Sequence, residues 1–275
     1  MLRRYVSSQT VRLLREPVAA LACCVLVLAS VAAYAGGGAC SQGKRPGAYG
    51  AFVCYAPDAF VFLLPALAAM VGGMLVASSR SRGEDVIYAV RGLAGPRLAV
   101  GRLLAGSAAA AAVVLVAGLI LVALALLFLP HRPELEIAPG ITVDAGARVR
   151  EPGVPIPALW HSAPLAGDLV GVVVYALAAA ALAAVGNAVG QLVAQPLIAF
   201  AAPVMLVLVT QVAPLPGAGE WISGYAYLNL EPVYSTMTRI AGDWRLPALL
   251  GYWCALLALS FTVAILAARR QAAAA

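Results

Sequence analysis

Few residues in this chain are suited to chemistry, and their spacing supports little of it. Gly38 to Lys44 reads GACSQGK and keeps the spacing of a phosphate-binding loop as far as its lysine. Arg45 then stands where a Ser or Thr would ligate magnesium, and no buried strand precedes the stretch, so nucleotide binding is not expected there. The two histidines, His131 and His161, belong to no HExxH and to no Cys–His spacing suited to zinc. With Glu134 and Glu136 they could hold a metal weakly; the plainer reading is a solvated loop. Ser260 lies in an apolar run with no histidine partner, which argues against a serine protease. Neither a catalytic centre nor a resident cofactor or metal is expected.

The most informative polar stretch is Ser79 to Arg102, SRSRGEDVIYAVRGLAGPRLAVGR. Ser81 and Glu84 have the spacing of a capping box, in which Ser81 accepts from the amide of residue 84 and Glu84 reaches back. A short amphipathic helix should follow, with Val86, Val90 and Leu93 on one face. Gly92 and Gly95 can stop it, and Pro96 can begin the next helix. Arg80, Arg82, Arg91, Arg97 and Arg102 surround it. Such a helix suits a handle for a soluble partner; an ordinary basic loop is the alternative.

The elements that must position this stretch are apolar. Of 275 residues, 63% are hydrophobic and 11% charged. A soluble fold cannot hide that much apolar surface, so the chain reads as an all-α, polytopic membrane protein forming one domain over residues 1–275. Six runs approach the roughly 20 residues needed to cross the hydrocarbon core. They are about Val18–Ala35, Ala59–Ser78, Leu103–Leu129, Leu165–Val189, Val193–Pro214 and Leu246–Ala268. The third is overlong and should tilt or project into water. The fourth and fifth are separated by a short polar piece at Gly190-Gln191 and should form a tight hairpin. The first run reads as a retained span, not a removed signal peptide. Residues 1–16 form an interfacial helix, with Leu2, Tyr5, Val6 and Leu13 on one side and Arg4, Arg12 and Arg15 on the other.

Orientation follows the arginines. With both termini in the cytoplasm, eleven Arg or Lys lie inside and seven outside. The composition, rich in alanine and with Lys44 the only lysine, suits a bacterial cytoplasmic membrane. Three outer loops remain, at residues 36–58, 130–164 and 217–245. The second carries two short β-like pieces, Leu135–Ile137 and Ile141–Val143, around Ala138-Pro139-Gly140, which suggest a hairpin cap. The third is aromatic and amphipathic, as short helices at the outer interface would be. Cys40 and Cys54 both face the oxidising side, so a disulfide is expected. It would close thirteen intervening residues, worth about 3 kcal/mol in the chain-entropy account. Cys23, Cys24 and Cys254 lie in spans as inert small groups. Gly186 and Gly190 form a GxxxG suited to close helix contact. Asn187, Gln191 and Gln195 share a stripe beside it. No Asp, Glu, Lys or Arg sits in the middle of a span, which argues against proton- or sodium-coupled carriage.

The layout resembles the type-2 ABC transporter permease family, over nearly the whole chain. Leu13-Leu14-Arg15-Glu16-Pro17 resembles the end of that family's elbow helix. The Glu-led helix from Glu84 to Arg91 sits where the family has its coupling helix. Gly95-Pro96-Arg97 with Gly101-Arg102 resembles its lead into the third span. Leu230-Glu231-Pro232 resembles its outer re-entrant segment, and Arg269-Arg270 its basic tail. The family's Gly-Thr after the Glu is missing, and the first two outer loops are long. The resemblance implies an exporter permease for an amphipathic substrate such as a drug, lipid or hydrophobic peptide. ATP and magnesium would be bound by separate ATPase subunits. A second permease copy or paralogue would complete the path, with membrane lipid around it, an outer partner at the long loops and no nucleic acid. Glu84, Asp85, Val86, Ile87, Tyr88, Val90 and Arg91 would then contact the ATPase, the apolar members supplying affinity and the charged ones register. The competing readings are an ATP-independent carrier or channel, and a thiol-redox enzyme; the latter lacks a CxxC.

Overall fold

Apolar runs without water to bond their amides must close their hydrogen bonds internally, and here they do so as helices. A computed structural model describes residues 2–35, 44–45, 48, 51–90, 95–129, 131, 136–137, 163–212, 227–228 and 245–274. In chain order the helices are α1 (Leu2–Arg15), α2 (Pro17–Ala35), α3 (Ala51–Ala68), α4 (Leu75–Ser81), α5 (Glu84–Val90) and α6 (Gly95–Phe128). They continue with α7 (Pro164–Leu192), α8 (Pro196–Val212) and α9 (Arg245–Ala274). A π-wound turn, Ala69–Gly73, joins α3 to α4. Among the described residues the chain is all-helical apart from one two-residue antiparallel ladder, and the length and apolarity of its helices suit a multi-pass membrane protein.

The span count differs from the six expected. Among the described residues, four helices are long and apolar enough to cross a membrane, α2, α6, α7 and α9. The bent pair Ala59–Gly73 and Leu75–Ser81 makes a fifth if counted as one. The remaining run is not helical at Val193–Gln195, and among its described residues Pro196–Val212, 17 residues, form the helix. That is about 25 Å of helix against a core of about 30 Å. The break between α7 and α8 also falls later than expected, because Gly190 and Gln191 continue α7. At 34 residues α6 is about 51 Å long. Its surplus lies largely at the start, where Gly95–Arg102 precedes the expected span.

The core is built around α7, 72% buried over its most apolar window against 22% for α2 and for α9. Ala178, Ala179, Ala181, Ala183 and Ala184 are wholly buried on it. Side chains that small let α3, α6, α8 and α9 approach one helix from several sides. At one end Phe52, Phe60 and Tyr175 pack ring on ring, and Tyr175 Oη donates to the Leu228 carbonyl at 3.1 Å. Tyr227 stacks on Tyr252 with ring centres 3.9 Å apart, so part of the segment between α8 and α9 is seated on the bundle.

Glu136 and Ile137 pair with Arg45 and Lys44 of the first long loop. Ile141–Val143, the other half of the expected hairpin cap, lie outside the described residues. Two extended segments pair where their backbones meet, and the partner here comes from another loop.

Candidate functional site

The site grows from the turn between α4 and α5. The expected capping box is not formed. Ser81 ends α4, and its hydroxyl donates to the Ser78 carbonyl at 3.0 Å. Gly83 follows with φ +70°, its amide donating to the Arg80 carbonyl at 3.0 Å. A left-handed residue at that place closes a helix C-terminus and favours glycine. It also separates Ser81 from α5. Glu84 pairs instead with Arg82, Nε to Oε1 3.6 Å. Glu84 and Asp85 place negative charge in the first turn of α5, where the helix dipole favours it.

Seven residues give α5 two distinct faces. Val86, Ile87 and Val90 turn outward, with 70%, 54% and 85% of their surface exposed. Asp85 and Tyr88, three apart, face the protein. The Arg102 Nη1 donates to Asp85 Oδ1 at 2.5 Å, and Arg80 Nε lies 3.9 Å from Asp85 Oδ2. Tyr88 meets Tyr5 edge to face at 5.2 Å and accepts a hydrogen bond from Gln9 Nε2 at 3.0 Å. The Arg102 guanidinium stands 5.7 Å from the centre of the Tyr88 ring, within cation–π reach. The elbow-like α1 therefore turns its Tyr5 face onto α6 and α5, not onto lipid alone. Gly101 makes this fit, since a methyl there would press on the Tyr5 ring. Burial pushes the Tyr5 phenol up, and the Arg102 charge beside it pulls partly against that.

Arg102 is the buried centre of this platform, 1% exposed. Arg80 carries it onward to α7. Its Nη1 donates to the carbonyls of Gln191 at 2.5 Å and Gly190 at 3.3 Å. Those are last-turn carbonyls with no partner in their own helix. Gln191 Nε2 donates to Gln271 Oε1, and Gln271 Nε2 donates back to the Gln191 carbonyl, both at 2.8 Å. So α1, α4, α5, α6, α7 and α9 converge within a few side chains.

The expected coupling residues thus divide. Val86, Ile87 and Val90 are free to meet a partner. Glu84 and Asp85, expected to set register, pair within the chain, Asp85 staying 45% exposed, and Tyr88, expected among the apolar contacts, packs on Tyr5. Arg91 lies outside the described residues. Sequence reasoning missed Gln9, Arg102 and Gln271 as members. Arg102 and Asp85 are opposite charges on either side of a Gly-Pro turn, a signal that was available.

The helix-packing residues lie deeper. A methyl on Gly186 would stand 2.8 Å from the Ala199 carbonyl and 3.0 Å from that of Gly73. Gly190 packs as closely on Ala77. Asn187 is wholly buried and bonds to the backbone of Gly72 and Val76. Asn187 and Gln191 are both buried, whereas Gln195 lies beyond the helix end and is exposed, so the expected stripe stops at Gln191.

The disulfide expectation falls partly outside view. Cys40 is outside the described residues, and only the backbone of Cys54 is described, near the start of α3. Cys23, Cys24 and Cys254 are free thiols. His161 and Gly38–Gly43 also lie outside the described residues. Among the described residues no three His, Cys, Asp or Glu side chains gather as a metal would require. No family model matches the chain, and neither does any curated protein.

Proposed function

We propose that this chain is the membrane-spanning permease subunit of an ATP-driven exporter of the type-2 ABC kind, and that α5 docks into a separate ATPase subunit. The observation that carries the reading is the split face of α5. Val86, Ile87 and Val90 are bare on a helix beyond the spans, while Asp85 and Tyr88 fasten it to the protein. Grouped apolar side chains left in water mark an interaction surface. A helix bolted to several spans can pass on a push that a loose loop would absorb. The chain would supply no catalysis of its own; ATP and magnesium would sit in the partner. Two permease copies or paralogues would enclose the path for an amphipathic substrate. Co-purification of a nucleotide-binding subunit tests the reading. Transport that persists without such a subunit and without ATP would favour the carrier alternative.

We place the protein in a bacterial cytoplasmic membrane with both termini inside and six crossings. In that arrangement α8 completes its crossing through local bilayer thinning. Single cysteines at Gly83 and at Gly146, labelled in intact cells, check this topology. Position 146 should react with an impermeant reagent and position 83 should stay protected; the reverse pattern inverts the orientation.

A Cys40–Cys54 disulfide closing the first outer loop belongs to the same proposal. Mass spectrometry of unreduced protein should find the two peptides linked. Free thiols at both positions would remove the crosslink from this reading.

A further inference from the structure

The second apolar run contains a break that is bridged by a single side chain. In an unbroken helix the Val76 amide would donate to the Gly72 carbonyl, four residues back. Here the Asn187 amide stands between them. Its Nδ2 donates to the Gly72 carbonyl at 2.8 Å, and its Oδ1 accepts from the Val76 amide at 3.0 Å. One ladder bond has been replaced by two bonds through an inserted group, a recognised cause of kinks. The helix turns by 43° there. Just before it, the Met74 amide donates to the Ala69 carbonyl, five residues back, at 3.0 Å.

Asn187 is wholly buried. In an apolar interior Gly72 and Val76 must find partners in the protein. The Val76 amide has two ways to do so, through Asn187 or through the Gly72 carbonyl, which also accepts from a cap amide of the π-wound turn. The surroundings suit exchange between the two. Gly72 and Gly106 meet backbone to backbone, where a methyl on Gly72 would overlap the Gly106 carbonyl. At that contact the Asn187 amide lies 2.6 Å from where a Gly106 methyl would stand, so the wedge is in reach of the α6 backbone. A withdrawn Asn187 amide can bond to carbonyls of its own helix one turn back.

We propose that Asn187 is a positioning residue that works as a removable wedge. With its amide inserted, the run is bent and α4 lies against α7. With the amide withdrawn, the Gly72–Val76 bond closes, the run straightens, and α4 swings carrying α5. The seven residues of α4 form a lever of about 10 Å. Removing a 43° bend moves its far end by about 8 Å. Arg80 latches the bent form, because its bonds to Gly190 and Gln191 hold the end of α4 on α7. The use of this motion in coupling rests on the docking role proposed for α5; the two-form break does not.

The test uses the full chain in lipid nanodiscs. Non-cysteine spin-label handles replace Ser81 at the end of α4 and Leu197 on α8, both exposed and both outside the docking face. Asn187→Leu keeps the bulk and removes both bonds, so the interlabel distance should shift by several ångströms, up to about 8. An unshifted distance in folded Asn187→Leu protein overturns the proposal. If that variant does not fold, Arg80→Gln decides the matter with Asn187 in place. It should add a second population displaced from the first, and a single unshifted population overturns the proposal. A shifted distance in protein that recruits no ATPase removes the docking role and keeps the wedge. An unshifted distance in protein that does recruit one does the reverse.

Discussion

Changing Ile87 and Val90 together to Asp should abolish subunit association and transport-stimulated ATP hydrolysis while leaving the membrane bundle folded. Both side chains point away from the protein, with 54% and 85% of their surface exposed. Neither contributes to a buried cluster, so a charge at either position strands nothing inside. At a docked interface the same positions would be apolar anchors. Each anchor lost costs roughly 2 kcal/mol or more, before the added cost of burying a carboxylate. Two anchors together should weaken association by at least about a hundredfold. Charged rim contacts would not compensate, being screened and individually weak. Co-elution with the ATPase subunit and its hydrolysis rate in nanodiscs provide the readout. Tyr88 is a poor choice for the same experiment, since it holds Tyr5, Gln9 and Arg102 inside this chain. Undiminished association of the Ile87, Val90 double variant would reduce α5 to a connector.

Asp85→Ala should cost the isolated protein about 3 kcal/mol, near the lower end for breaking a buried pair. The lower end applies because the Asp85 side chain is 45% exposed while that of Arg102 is only 2% exposed. The penalty comes from Arg102, whose charge stays buried after its carboxylate is gone. Adding Arg102→Leu to Asp85→Ala should recover much of the loss, because an apolar group then fills an apolar place. A thermal or denaturant double-mutant cycle measures this coupling. Equal and additive losses would mean that the pair acts only as two separate contacts.

Much of the fold was legible because hydropathy and helix length are local properties. The apolar runs, the short helix from Glu84 and the basic first helix could all be read along the chain. What escaped was set by partners far away in sequence. Ala68 to Val76 is as apolar as its flanks, and the break there is bridged by Asn187, 111 residues later than Val76. Arg102 at the start of a run reads as an interfacial charge; its burial depends on Tyr5 and Tyr88. The Ser81 and Glu84 pattern fitted a local rule, but the left-handed Gly83 and the charge of Arg82 outcompeted it. In the candidate site, Val86 and Val90 were identifiable from helical spacing, whereas Ile87 came only with the family resemblance. Which members face inward needed α1 and α6 in place.

The paired amides of Gln191 and Gln271 bear on how the protein is made. They lie 80 residues apart, and Arg80 reaches carbonyls 110 and 111 residues downstream of it. A chain emerging from the ribosome can set Asp85 against Arg102 early, but it cannot seat Arg80 until α7 has been inserted. It cannot complete the knot until residue 271 has been synthesised. Biogenesis thus has a built-in order, in which the platform beneath α5 matures only after α9 arrives. A product stalled before residue 271 would carry Val86, Ile87 and Val90 on an unfinished base, which gives membrane quality control a way to recognise it.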